Sequence, residues 1–476
     1  MFHYVWKKSK NRVKYIIWSE KITYGGILML INFRVENFLS ISNLIEFSMV
    51  SGKTKRHMKN TIAFGDKSLL KFSAIYGANA SGKSSFIKAI SASRQLIVEG
   101  FDSIGVIQNS YNKNARENED KETKFEYDIA IGDRIYTYGF SVILSKMEFI
   151  NEWLYDMTHD ETLVYNIDKY NKAINEEYLS LKESIYNRLE IYAEDNQSNR
   201  IQLFLSALNE GKKEFVLKDG RAIFSEIFDW FSNKLEVIGP DDITRDFNRD
   251  VSRKSNIYLK NLANYLRASG TGVTEVITVS TNSLVDIPPK LQDKIKQDML
   301  EEESGKVVKR TGLLRTPKHI YILNAKNGNF SIEEVKFKHL SGATYNLYEE
   351  SDGTVRLIEL FSILFNKRDK VFVIDELDRS LHPLLTLNFV ESFLDKKGKG
   401  QLVVTTHEDR LLDLDLIRRD EIWFVEKDSV GNSTLYSLEE YKERFDRNVM
   451  KAYLDGRYGA IPKLENLFSS LNSEVL

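Results

Sequence analysis

The sequence lacks cysteine, contains only 6 prolines and has no long apolar run. Without cysteine there can be no disulfide bond, no thiolate zinc site and no cysteine nucleophile. The absence also fits a reducing compartment, so we expect a cytoplasmic protein. Because no stretch reaches the roughly 18 consecutive apolar residues of a membrane-spanning helix, we expect no membrane association.

The chain also lacks a surplus of either charge. It has 67 Lys and Arg against 69 Asp and Glu, which gives a formal net charge of -2. Proteins that bind nucleic acid usually carry a basic surplus, so any contact with DNA or RNA would have to be local. The 476 residues, 42% of them hydrophobic, predict a folded protein with about three domains, or one large domain carrying an insertion.

The N-terminal 28 residues are rich in lysine and aromatic side chains. The apolar run that follows them leads directly into the alternating segment 33–38, which is typical of a strand and not of a cleaved signal peptide. We therefore treat 1–28 as an extension or a small partner-binding arm, and Met29 is an alternative start.

A glycine-rich segment at 77–84 has the pattern G-x-x-x-x-G-K-S. It follows the β-rich run 71–76 and precedes a helical pattern, which is the context of a phosphate-binding loop. Backbone N–H groups of such a loop surround the phosphates, Lys83 reaches the β- and γ-phosphates, and Ser84 is a ligand for Mg²⁺. The predicted nucleotide-binding residues are Gly77, Ala78, Asn79, Ala80, Ser81, Gly82, Lys83, Ser84 and Ser85.

Two carboxylates end the apolar run 371–376, and a histidine ends the buried run 401–407. At the carboxyl edge of a parallel sheet in a P-loop enzyme, Asp375 would hold Mg²⁺ through water and Glu376 would polarise the attacking water. His407 could sense or stabilise the γ-phosphate. Lys83, Glu376 and His407 are therefore the predicted catalytic residues, and Ser84 and Asp375 the predicted metal ligands, with ATP and Mg²⁺ as ligands.

A predicted helix begins after Ser351, about twenty residues before the acidic strand, and Ser351 is a good N-cap. The order of loop, helix, acidic strand and histidine resembles the ABC/SMC class of ATPases. The resemblance implies that Ser351 and Gly353 face the γ-phosphate on Lys83 of the opposite subunit, with Asp378 at the seam. Two ATP molecules would then lie between the heads of a head-to-tail homodimer or a higher homo-oligomer. Asp352 stands where a glycine is usual, and a carboxylate near phosphate is unfavourable.

Three further segments are similar to the bacterial RloA/AbiL-like ATPases, a family associated with abortive infection and other anti-phage operons. They begin at Met29, Asp375 and Tyr453, and the resemblance covers 29–150 and about 319–462. It implies a sensor or scaffold ATPase that controls a separate toxic effector, such as a nuclease, encoded nearby. A phage protein would be the trigger.

The predicted fold is α/β: a P-loop ABC/SMC-type ATPase head with a mostly parallel sheet, an antiparallel β subdomain and a mainly α-helical insertion. Alternating residues around Gly132 and Asp133 predict a hairpin in the β subdomain. The expected domains are the extension 1–28, the first half of the head at 29–160, the helical insertion 161–318 and the second half of the head at 319–476.

A basic stretch closes the predicted insertion and could contact DNA, RNA or an acidic partner. It consists of Lys306, Lys309, Arg310, Arg315 and Lys318. Other functions remain open: a DNA-repair or DNA-processing ATPase of the RecF/SMC type, an ATPase with its own nuclease activity, or a transporter subunit. Only about 70 residues follow His407, too few for a Toprim nuclease domain.

Overall fold

The computed structural model describes most of the chain. The described residues are 5–8, 14–17, 27–101, 107–211, 214–240, 256–300, 310–326, 328–365, 369–441 and 449–461. They fall into two compact units. One unit comprises Met1–Gly25, Ile238–Arg368 and Asp378–Lys396, and the other comprises Gly26–Val237, Asp369–Leu377 and Lys397–Leu476. We call the first the signature unit, after the predicted signature helix that follows Ser351, and the second the P-loop unit, after the loop 77–84.

The described α-helices are spread along the chain. They are α1 (Lys83–Glu99), α2 (Glu176–Leu179), α3 (Glu183–Ser198), α4 (Phe204–Asn209), α5 (Ile223–Asp229), α6 (Asn256–Ala268), α7 (Pro289–Leu300), α8 (Asp352–Phe365), α9 (Pro383–Asp395) and α10 (Val449–Leu454). None of them is both long enough and apolar enough to cross a membrane.

A mostly parallel six-stranded sheet forms the centre of the P-loop unit. Its strands are β7 (Phe72–Tyr76), β13 (Leu235–Ile238), β19 (Val371–Ile374), β20 (Gln401–Thr405), β21 (Ile422–Lys427) and β22 (Ser433–Ser437). The order is β13-β19-β20-β7-β21-β22, and β19, β20, β7 and β21 are parallel. Every residue of β7, β19 and β20 is buried, as expected for strands covered on both faces.

A seven-stranded antiparallel sheet belongs to the same unit. Its strands are β3 (Leu28–Glu36), β4 (Ile45–Ser48), β8 (Thr123–Ile131), β9 (Arg134–Ile143), β10 (Glu148–Asp156), β11 (Thr162–Asp168) and β12 (Lys172–Ile174). The predicted hairpin around Gly132 and Asp133 is confirmed, with Ile131 opposite Arg134 at its tip. The predicted fold class is therefore confirmed in both of its sheets.

One buried side chain joins the two sheets of the P-loop unit. Gln401, the first residue of β20, accepts a hydrogen bond from the Leu30 N–H at 2.7 Å. Its amide nitrogen lies 3.0 Å from the carbonyl oxygens of Leu30 and Leu70. The Gln401 side chain thus connects β20 of the central sheet to β3 of the antiparallel sheet and to Leu70, two residues before β7. A two-stranded ribbon, β5 (Thr61–Phe64) and β6 (Lys67–Leu70), completes the unit's strands as described.

The predicted helical insertion 161–318 is mainly helical between Glu176 and Leu300, with α2 to α7 in this stretch. Strands also occur in it. The predicted insertion begins with β11, and β13 joins the central sheet. A further strand, Val273–Thr281, belongs to the signature unit. Strand pairing with distant segments, which helical periodicity cannot reveal, is the reason for the difference. The predicted domain boundaries stay predictions.

The signature unit contains an antiparallel sheet that the sequence did not predict. Its strands are β1 (Val5–Lys8), β2 (Lys14–Ile17), β14 (Val273–Thr281), β15 (Arg310–Arg315), β16 (Ile320–Lys326), β17 (Asn329–His339) and β18 (Thr344–Tyr345). β1 and β2 pair with each other, and β2 pairs with β15. Residues 5–8 and 14–17 of the predicted extension 1–28 are therefore built into this sheet, while Leu28 begins β3.

Candidate functional site

The predicted phosphate-binding loop lies between β7 and α1 in the P-loop unit. Two of its glycines occupy positions where a side chain has no room. A Cβ on Gly77 would lie 2.5 Å from both Ser81 Oγ and the Val425 carbonyl oxygen. Gly82 has a φ of 116°, and a Cβ there would overlap Ser433 Oγ. The two glycines of the motif are thus required by close approach of the surrounding chain.

The loop has the features of an anion site. The first helical residue of α1 is Lys83, its N-cap is Gly82, and no side chain caps it. Its first turn contains no acidic residue. Exposed N–H groups and the positive end of the helix dipole favour a phosphate at this position. Ser81 Oγ is buried and has no hydrogen-bond partner among the described residues, so a donor or acceptor from a ligand would fit there.

Lys83 is 6% exposed and folds back onto its own loop. Its ammonium nitrogen lies 2.7 Å from the Gly77 carbonyl oxygen and 3.1 Å from that of Ala78. An ammonium group has three donors, which suits a lysine that bridges loop and phosphate. Ala80, exposed at the tip of the loop, has a φ of 63°. The loop residues predicted from the sequence are therefore brought together in one turn.

The two acidic residues follow β19 at the same edge of the sheet. The register pairs Ile374 with Val404 and Thr405 with Ile75, so β19, β20 and β7 end side by side. Asp375 is 4% exposed and Glu376 is partly exposed. Glu376 has a φ of 52°, which is unusual for a residue with a side chain and costs about 1–3 kcal/mol. His407, two residues beyond β20, is exposed.

Thr405 is a residue of the candidate site that sequence reasoning missed. It is fully buried, and its hydroxyl donates to Asp375 Oδ1 at 2.6 Å. The oxygen of the Thr405 hydroxyl also accepts a hydrogen bond from the backbone N–H of Glu376 at 2.8 Å. The Thr405 carbonyl oxygen in turn accepts the Leu377 N–H at 3.0 Å. One threonine therefore fixes the side chain of the first acid and the backbone of the second.

The residues predicted to contact a nucleotide on the opposite subunit lie in the signature unit. Ser351 Oγ accepts the Thr354 N–H at 3.1 Å, the bond predicted for the N-cap of α8. Gly353 lies against the chain that follows the acidic strand, since a Cβ on it would be 2.9 Å from the Ser380 carbonyl oxygen. Asp378, the predicted seam residue, precedes this segment by two positions. Ser351, Gly353 and Asp378 therefore lie within one compact unit.

A buried ion-pair cluster supports α8. Glu359 accepts from both terminal nitrogens of Arg315 at 3.0 Å and from Arg356 at 3.3 Å. Burial lowers the pKa of Arg356, and the carboxylate of Glu359 opposes that effect. Arg315 was predicted as part of a basic stretch, but its charge is used inside the protein. Arg310 likewise donates to the Asp298 carbonyl oxygen at 2.8 Å.

Of the other members of the basic stretch, the structure describes Lys318. Lys318 lies 3.6 Å from Asp286 Oδ1. Lys306 and Lys309 lie outside the described residues. The predicted contact with DNA, RNA or an acidic partner stays a prediction: Arg315 is paired with Glu359, whereas Lys318 is exposed.

The C-terminal motif that begins at Tyr453 packs beside the P-loop strand. The ring of Tyr453 lies 5.8 Å from that of Tyr76, the last residue of β7, and 5.6 Å from Phe424 of β21. Tyr458 stacks on Phe424 at 5.5 Å. These rings cover the end of the strand that carries the loop. Pro462, the last residue of the motif, lies outside the described residues.

Comparison with protein families matches the middle and later part of the chain. A family model described as "AAA domain, putative AbiEii toxin, Type IV TA system" matches residues 190–413. The matched residues are less than half of the chain; they include α8, β19 and β20 but not the P-loop. No curated protein matches the sequence.

Among solved structures, the chain is similar to SMC head domains. An Smc head with an extended coiled coil, derived from Pyrococcus furiosus and bound to the C-terminal domain of ScpA, is 13% identical with a TM-score of 0.39; the match covers 90% of this chain and 100% of that one. The SMC head domain from Thermotoga maritima is 12% identical with a TM-score of 0.32, over 86% of this chain and 98% of that one.

Proposed function

We propose that this AAA-type P-loop protein of the ABC/SMC class binds and hydrolyses ATP with Mg²⁺. The observation that carries the proposal is the shared edge of three parallel strands. There the loop containing Lys83, the acid pair Asp375 and Glu376, and His407 all follow strand ends. In open parallel sheets, ligands bind at this edge.

Each residue has a role that its position supports. The loop N–H groups and Lys83 would bind the phosphates, and Glu376 would orient the attacking water and accept its proton. Ser84 and Asp375 would hold Mg²⁺, which would neutralise negative charge on the phosphates. The donor set of hydroxyl and carboxylate is the one that Mg²⁺ prefers. His407 would contact the γ-phosphate.

Lys83→Ala is the direct test. Removing the ammonium group takes away a charge-assisted contact with two phosphates, so ATP binding measured by calorimetry should be lost. Lys88→Ala removes an exposed lysine from the same helix and serves as the matched control. Equal ATP affinity in Lys83→Ala and in the unmodified protein would refute the assignment of the loop.

We further propose that two copies associate head to tail around two ATP molecules. In this arrangement Ser351 and Gly353 of one copy would contact the γ-phosphate held by Lys83 of the other, and Asp378 would lie at the seam. The position of Ser351 at the start of α8 supports the proposal, because helix N-termini favour anions, whereas Asp352 in the first turn opposes it. Light scattering after size exclusion, with and without ATP, tests it.

The biological role proposed is control of a separate toxic effector in anti-phage defence. The description of the matched family, which includes a putative toxin of a toxin–antitoxin system, and the resemblance to the RloA/AbiL-like ATPases support it. The test is expression with and without the neighbouring gene, scored for phage plating and for toxicity. Full protection by the ATPase gene alone would contradict a separate effector.

A further inference from the structure

Two serine hydroxyls contact the P-loop from outside its sequence. Ser433 is the first residue of β22, and Ser40 lies between β3 and β4. Ser433 Oγ is 2.7 Å from the Ser81 carbonyl oxygen and 2.8 Å from Ser40 Oγ. Ser40 Oγ is 2.9 Å from Ser85 Oγ, the last residue of the predicted nucleotide-binding set. Ser433 is 5% exposed, so these bonds are made away from solvent.

Ser433 is the donor in both of its hydroxyl contacts. A carbonyl oxygen can only accept, so Ser433 donates to Ser81, and it is also the donor toward Ser40 Oγ. Ser40 in turn donates to Ser85 Oγ. Ser433 thus connects one backbone carbonyl of the loop to the hydroxyls of Ser40 and Ser85.

That carbonyl determines the orientation of a loop N–H group. The peptide bond between Ser81 and Gly82 is trans, so the Ser81 C=O and the Gly82 N–H lie in one plane and point in opposite directions. When Ser433 holds the carbonyl, the Gly82 N–H is directed away from Ser433. A Cβ on Gly82 would also come within 2.8 Å of Ser40 Oγ, so the hydroxyls lie closely over this peptide.

Ser433 is itself held from both sides. Its N–H donates to the Ser40 carbonyl oxygen at 2.7 Å. The preceding residue, Asn432, accepts at Oδ1 from the side-chain amides of Asn114 at 2.7 Å and Asn112 at 3.3 Å. In the turn between β21 and β22, Asp428 Oδ1 accepts the Asn432 N–H at 2.8 Å, and this bond lowers the pKa of Asp428. The hydroxyl therefore comes from a turn with little freedom.

We propose that Ser433 is a positioning residue for phosphate binding, which fixes the Ser81–Gly82 peptide so that the Gly82 N–H faces the phosphates of a bound nucleotide. The inference rests on the proposed ATP binding and deepens it. Without Ser433 the peptide can rotate, and the N–H must be reoriented each time a nucleotide binds. The interaction concerns the phosphates alone, so ATP and ADP should depend on it equally.

Ser433→Ala tests the proposal by calorimetry with Mg-ATP and Mg-ADP on the full chain. Loss of one buried hydrogen bond should weaken the affinity for both by the same factor, about 5- to 10-fold. KM for ATP should rise by that factor, while kcat changes less than about twofold, because the reacting groups are untouched. Ser40→Ala, which leaves the bond to Ser81 in place, should have a smaller effect in the same direction.

Thr434→Ala is the matched control, because among the described residues this neighbouring hydroxyl bonds within the hairpin, to the Glu426 carbonyl oxygen at 3.3 Å. Thermal unfolding without nucleotide checks that both variants are folded. Wild-type affinity in Ser433→Ala, or an equal loss in Thr434→Ala, would overturn the role of Ser433. Absence of ATP binding by the unmodified protein would instead refute the proposed function.

Discussion

Thr405 Oγ1 lies 2.6 Å from Asp375 Oδ1 and accepts the N–H of the next residue, Glu376, at 2.8 Å. A single hydroxyl thus uses its proton on the proposed metal ligand and its lone pair on the backbone of the proposed base. The second bond helps to hold Glu376 at its positive φ. Because the carboxylate and the strained backbone are fixed before substrate arrives, both groups are preorganised.

Thr405→Val should slow ATP hydrolysis. Valine has nearly the same shape, but it removes a hydrogen bond to a charged carboxylate and leaves the Glu376 N–H without its acceptor. The loss of about 1.5–3 kcal/mol corresponds to a kcat lower by about 10- to 100-fold. Steady-state kinetics measure it. Thr405→Ser keeps the hydroxyl and should retain most of the activity; equal rates in the two variants would show that the hydroxyl has no role.

Glu376→Gln should bind ATP but hydrolyse it at least about 100-fold more slowly, since a proposed general base is lost while the phosphate-binding loop is intact. The trapped nucleotide should favour association of two copies by mass action. Light scattering should then give twice the monomer mass with ATP and the monomer mass with ADP. A variant that binds ATP tightly yet stays monomeric would rule out the head-to-tail dimer.

Gly353→Ala should separate nucleotide binding from association. The added methyl would lie 2.9 Å from the Ser380 carbonyl oxygen, a backbone atom, so the start of α8 must shift. Affinity for ATP in the single copy, which depends on the P-loop unit, should change less than about twofold, whereas ATP-dependent association should be lost. Calorimetry and light scattering measure the two quantities. Normal association would exclude Gly353 from the interface.

Glu421→Gln should change how stability depends on pH. Burial raises the pKa of Glu421 well above its ordinary value, so the folded protein keeps a proton that the unfolded chain releases above about pH 4.3. Between these two pKa values the folded state binds more protons, and the free energy of unfolding falls as pH rises, by up to about 1.4 kcal/mol per unit. Glutamine resembles the protonated acid, so the variant should lose this part of the slope.

Urea unfolding at about pH 5.5 and about pH 8 measures the effect. Relative to the unmodified protein, Glu421→Gln should gain stability at the higher pH. Glu391→Gln replaces an exposed carboxyl on α9 and is the control. If the stability of Glu421→Gln depends on pH as steeply as that of Glu391→Gln, the charge state of Glu421 does not determine the pH dependence.

The parts of the site that could be predicted from the sequence are local. The loop 77–84 needs glycines, a lysine and a serine at fixed spacing, and Asp375 directly follows an apolar strand. The hairpin at Gly132 is equally local, since its two strands are neighbours along the chain. Patterns of this kind span about ten residues and can be recognised without knowledge of the fold.

The remaining site residues depend on contacts between distant segments. Ser433 is 352 residues from Ser81, and Thr405 reaches Asp375 across 30 residues. A serine after a turn and a threonine at the end of a strand carry no signal of function in the sequence. The order of strands in the central sheet brings them next to Ser81 and Asp375. The same reason explains the unpredicted sheet of the signature unit, in which β2 pairs with β15, almost 300 residues later.

The order of strands in the central sheet also has a consequence for synthesis. β7, which carries the phosphate-binding loop, is complete by residue 76, but its neighbours β20 and β21 begin at Gln401 and Ile422. A growing chain therefore exposes the loop long before the strands that flank it exist. Since the acid pair and Thr405 are also made late, a nascent chain cannot assemble the site until β21 has left the ribosome. The proposed nucleotide could then stabilise only chains that extend past β21, and shorter products of premature termination would gain nothing from it.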